Sequence, residues 1–81
     1  MSATLVFDPV RPTKYTTLPY ELRDKFTNKF NLRDGVEKLN STHVPYLEGI
    51  RDASDGEVGE RVQKLIDAIE KFGEVNLWLQ Y

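Results

Sequence analysis

Between residues 57 and 72, the apolar positions Val58, Val62, Leu65, Ile66, Ile69 and Phe72 recur at helical intervals. That period gathers them on one stripe of a helix. Glu57–Arg61, Glu60–Lys64 and Asp67–Lys71 are acid-before-base pairs four residues apart, an arrangement worth about 0.2–0.5 kcal/mol per pair. Gly73 stands where a left-handed C-terminal cap belongs. The period then changes to two. Val75, Leu77 and Leu79 alternate with Asn76, Trp78 and Gln80, which predicts a half-buried strand. A helix, one glycine and a strand form a tight unit, so the helix is expected to double back and lay its apolar stripe on that strand.

The same patterns predict the rest of the chain. Leu5 and Phe7 alternate with Thr4, Val6 and Asp8, predicting a short strand over 3–7, with Pro9 and Pro12 ending it and an extended loop over 9–16. Leu22, Phe26 and Phe30 lie four apart and predict a helix over 18–30, opened by Pro19 and Glu21. Residues 31–40 satisfy two templates. Their apolar spacing is helical, but Asp34-Gly35 is a hairpin turn signal, and glycine costs a helix interior about 1 kcal/mol. A short turn and strand near 36–39 is the reading adopted. Thr42 as cap and Pro45 in the first turn predict a helix over 43–53, with Val44, Leu47 and Ile50 inward. Ser54 and Glu57 have the spacing of a capping box for the long helix.

These elements predict an α+β fold. A small sheet is formed by the N-terminal and C-terminal strands, with a third strand near 36–39, packed against two or three helices. The 81 residues are read as one domain. At this size a single core supplies roughly 3–5 kcal/mol, which suits a shallow binding surface better than a deep catalytic cavity.

Composition narrows the chemistry. With 30% charged and 40% apolar residues the chain is ordinary globular material. It has no cysteine, so disulfides, thiolate–zinc sites and cysteine nucleophiles fall away. The N-terminus lacks the basic and apolar regions of a signal peptide, and no apolar run reaches the roughly 18–20 residues of a membrane helix. The expected setting is cytoplasmic, with no membrane partner. Residues 1–40 carry seven basic and five acidic side chains, and residues 41–81 carry four and eight, so the halves differ in sign. The acidic half argues against phosphate-backbone binding over the whole surface.

No catalytic constellation emerges. His43 is the sole histidine, and it is read as an exposed first-turn residue. Its nearest nucleophile, Ser41, is two residues away and does not share a helical face with it. Asp52, Asp55, Glu57 and Glu60 cluster, but aligning Gly56 with the calcium-loop glycine puts Arg51, Ala53 and Val62 at ligand positions. Gly56 and Gly59 flank a helix start, where Glu57 and Glu60 would repel an anion. Pro9-Val10-Arg11-Pro12 fits a minimal P-x-x-P element and is read as a rigid connection. No enzyme activity, cofactor or metal is expected.

Two functional readings follow. The first is a small non-enzymatic protein-interaction module. It would bind a larger protein, as phage, anti-defence, antitoxin or immunity inhibitors and accessory factors do, or associate with itself as a homodimer. Size alone suggests that list. Its candidate surface is Trp78 with Asn76 and Val6, on the face opposite Val75, Leu77 and Leu79, joined by Tyr81 at the strand's end. Either the helix over 18–30 covers that face and Trp78 is core, or the face is open as an aromatic patch. The alternative is a nucleic-acid-binding module using the basic N-terminal half: Arg11, Lys14, Tyr15, Arg23, Lys25 and Lys29.

Overall fold

The computed structural model describes residues 4–9, 16–32 and 35–80. The expected loop over 9–16, the P-x-x-P element and the Asp34 half of the turn signal lie wholly or largely outside the described residues.

The strands are β1 (Thr4–Pro9), β2 (Thr16–Thr17), β3 (Glu37–Asn40) and β4 (Glu74–Gln80). The helices are α1 (Arg23–Lys29), α2 (Val44–Asp52) and α3 (Gly56–Phe72). Turns of 3-10 helix at Tyr20–Leu22 and Ser41–His43 lead into α1 and α2. The sheet is antiparallel throughout, in the order β2-β1-β4-β3. The expected α+β architecture is the observed one, with a third strand near 36–39 and three helices.

The terminal strands pair along six positions, from Thr4 opposite Gln80 to Pro9 opposite Val75. Both are interior to the sheet, and the edges fall to β2 and β3. β2 pairs with β1 at Val6 and Phe7, and β3 pairs with β4 from Glu74 to Leu77.

Side-chain alternation divides the sheet into two faces. Leu5, Phe7, Leu39, Val75 and Leu77 join one buried cluster with Leu22 and Phe26 from the first helical segment, Leu47 from α2, and Val62, Leu65, Ile66 and Ile69 from α3. All three helices thus contribute to the core on this one face. The long helix does fold back on the last strand as its stripe predicts. Gly73 takes φ of 83° and its N–H donates to the Ile69 carbonyl at 2.7 Å, which reverses the chain in a single residue.

Several local expectations are corrected. The segment over 18–30 does not start as α-helix at Leu18. The Leu18 N–H donates to the Leu5 carbonyl at 2.8 Å, tying that residue to the sheet, and the residue before a proline disfavours helical geometry. Thr42 does not cap the second helical segment. Asn40 does, accepting from the Thr42 N–H at 3.0 Å and its hydroxyl at 2.6 Å. His43 is not an exposed bystander. It is half-buried, packs edge-on to Phe30 with ring centroids 5.5 Å apart, and takes the Asn40 N–H on Nδ1. The Ser54–Glu57 capping box does not form, because the Ser54 hydroxyl donates back to the Ile50 carbonyl at 2.6 Å. Phe72 is 51% exposed, and the chain reverses at Gly73 immediately after it. Of the expected charge pairs on α3, Glu57–Arg61 closes at 3.5 Å, whereas Asp67 accepts from Gln63 at 2.8 Å.

Candidate functional site

The face turned away from the helices is a small grid fixed by strand register. One row runs Thr17, Val6, Trp78 and a second runs Asp8, Asn76, Lys38. Val36, one residue before β3, extends the first row beside Trp78. Asp8, Val36, Asn76 and Trp78 line a cavity of about 190 Å³.

The grid residues differ in exposure. Val36 is 57% exposed, although it is a large apolar side chain. Trp78 and Asn76 are half-buried, and the Trp78 indole N–H donates to the Gln80 side chain at 3.0 Å. Asp8 is 1% exposed and accepts a long hydrogen bond, 3.4 Å, from the Asn76 amide. Every buried side-chain polar atom among the described residues has a partner. Lys38 adds a positive charge at the rim and lies 3.8 Å from Glu74, a surface ion pair of small energetic weight. The arrangement can hold an apolar side chain from outside, against Val36 and Trp78.

The structure brings Trp78 and Asn76 together as expected. Val6 is corrected: it lies on this face but is 0% exposed. It supports the surface and is not presented on it. Tyr81 lies outside the described residues. The reading in which the helix over 18–30 covers Trp78 is also corrected, since Leu22 and Phe26 pack into the cluster on the opposite face. Asp8 and Val36 were missed. Strand alternation already placed Asp8 on the Trp78 face, but Val36 required the β3 register.

Of the basic candidates, Lys25 and Lys29 lie four residues apart on α1 and share an exposed helical face. Arg11, Lys14 and Tyr15 lie outside the described residues. Arg23 and Lys25 stand two positions apart on α1, about 200° around the helix, and so project to opposite sides. Arg23 stacks 4.4 Å over the Tyr20 ring, and Lys29 lies 5.0 Å over Tyr46.

A second recess, about 300 Å³, lies between the Thr17–Glu21 segment and the first turns of α3, where Arg61 approaches the Thr17 carbonyl at 3.4 Å. Glu21 and Glu57 line it, and they oppose an anion at that helix start. Among the described residues no three His, Asp or Glu side chains gather as a metal site, and no helix is long and apolar enough to cross a membrane. No protein-family model, curated protein or solved structure matches the chain.

Proposed function

We propose that this protein is a non-enzymatic interaction module that binds another protein through the sheet face bearing Trp78, Asn76 and Val36. One observation carries the reading. The helices cover one face of the sheet, and on the other a 57% exposed Val36 stands with Trp78 at the mouth of a small cavity. Exposed apolar groups beside a half-buried tryptophan are the usual anchors of protein recognition. The partner supplies an apolar side chain to the cavity. Occupying a surface of a larger protein in this way is the action of an inhibitor or accessory factor.

The test is co-purification from the source cells with wild type and with two variants. Val36→Asp puts a charge on a side chain that is already exposed, and Trp78→Ala removes the aromatic wall. Both are expected to lose the partner while keeping helical circular dichroism. Recovery of the same partner by Val36→Asp at wild-type yield contradicts the reading.

A further inference from the structure

We propose that the outer edge of β3, unpaired among the described residues, receives an extended segment of the partner as a fifth, antiparallel strand, with an acidic side chain opposite Lys38 and an apolar one beside Val36. This rests on the interaction reading above and specifies how that partner is held.

The argument starts from which backbone groups point outward. In an antiparallel ladder, alternate residues direct both N–H and C=O toward the same neighbour. The Leu18 N–H reaches the Leu5 carbonyl, so Leu5 and Phe7 turn toward β2, and Val6 and Asp8 toward β4. Their partners Trp78 and Asn76 turn back to β1, which leaves Val75 and Leu77 facing β3. Glu37 and Leu39, opposite Leu77 and Val75, complete that ladder, so Lys38 points its N–H and C=O away from the sheet. Asn40 supplies an independent check. Its N–H donates to His43 at 3.0 Å, as the same phase requires.

Among the described residues the unpaired edge is therefore short and defined. Lys38, and Val36 just before it, offer backbone groups, and His43 closes the edge at Asn40. An unpaired edge of this kind is a template for another strand. Val36 lines the Trp78 cavity and Lys38 stands opposite Asn76 on the same face, so an added strand places its own side chains on that face. In the antiparallel sense, the residue opposite Lys38 precedes by two the residue beside Val36. The matching pattern is an acidic residue, any residue, then an apolar residue.

A second copy of this chain is disfavoured where the two-fold axis falls on Glu37 or Lys38. Antiparallel pairing of two β3 edges then sets Glu37 against Glu37 or Lys38 against Lys38 of the second copy. Like charges directly opposed across strands are destabilising.

The probe is a blocked peptide of about six residues, a usual strand length, alternating threonine and valine, with a glutamate and a leucine two residues after it. Amide chemical shifts of the full chain are followed during titration. The expected result is movement of the Val36 and Lys38 amides and the Trp78 indole, lost when the peptide backbone is N-methylated. Lys38→Glu is expected to weaken the glutamate peptide by about tenfold and to favour a lysine counterpart. Absence of shifts along β3, or equal binding of the N-methylated peptide, overturns the proposal. So does a concentration-dependent dimer that protects the β3 amides. If the peptide fails while Val36→Asp still loses the partner, the face reading stands and the added strand falls. If the peptide binds while Val36→Asp keeps the partner, the β3 edge can accept a strand but does not hold the partner, and both the face reading and the proposal fall.

Discussion

The backbone N–H of Asn40 donates to Nδ1 of His43 at 3.0 Å, and the Asn40 side chain in turn holds the Thr42 N–H at 3.0 Å. This reciprocal cap starts the helical segment leading into α2 and also ends the exposed edge of β3. His43→Ala removes the acceptor and the edge contact with Phe30. It should cost about 1 kcal/mol, the usual weight of a lost cap, read as a lower urea midpoint. The Asn40 amide should exchange faster with solvent.

Two glycines in helices are expected to respond differently to alanine. At Gly49 in α2 an added methyl meets nothing within 4 Å, so Gly49→Ala should gain about 0.5–1 kcal/mol. At Gly59 the methyl would lie 3.3 Å from the Ser54 carbonyl oxygen, in the turn between α2 and α3, and 3.4 Å from that of Arg51 in the last turn of α2. Gly59→Ala should lose most or all of that gain. Thermal midpoints of the two variants provide the comparison.

Leu77 and Val36 lie near each other along the β3–β4 pair but belong to different environments. Leu77 is fully buried in the core cluster, and Leu77→Ala should cost about 2–5 kcal/mol. Val36 is mostly exposed, and Val36→Asp should change stability by no more than about 0.5 kcal/mol. Urea unfolding of both separates the fold from the surface proposed for binding.

Burial pushes the Tyr46 phenol above its ordinary value of 10.0. The folded protein holds that proton more firmly than the unfolded chain does. The contribution is fully present below about pH 10 and is lost as pH rises through the folded-state value. The urea midpoint of wild type should therefore fall more steeply in alkali than that of Tyr46→Phe. Parallel pH profiles for the two would contradict this.

The elements with long periodic patterns were legible in the sequence. The stripe Val62, Leu65, Ile66, Ile69 and the alternation Val75, Leu77, Leu79 each satisfy one template, because the core faces them from one direction. Gly73 was legible because a left-handed turn has few alternatives. The caps were not. Asn40, Thr42, Ser41 and His43 all carry side chains able to hold a backbone amide, and tertiary placement decides among them. Phe72 fits the stripe and is exposed nonetheless, since periodicity does not reveal where the layer beneath a helix ends. Within the candidate site, alternation placed Trp78 and Asn76 on one face. The burial of Val6 and the exposure of Val36 depend on tertiary packing, which alternation along one strand does not encode.

Residue-resolved amide hydrogen exchange along β3 tests the account most directly. Lys38 and Val36 should exchange rapidly, while Glu37 and Leu39, bonded to β4, and Asn40, bonded to His43, should be slow. Slow exchange at Lys38 with fast exchange at Glu37 and Leu39 would reverse the ladder and contradict the outward orientation of Lys38 on which the proposed binding rests.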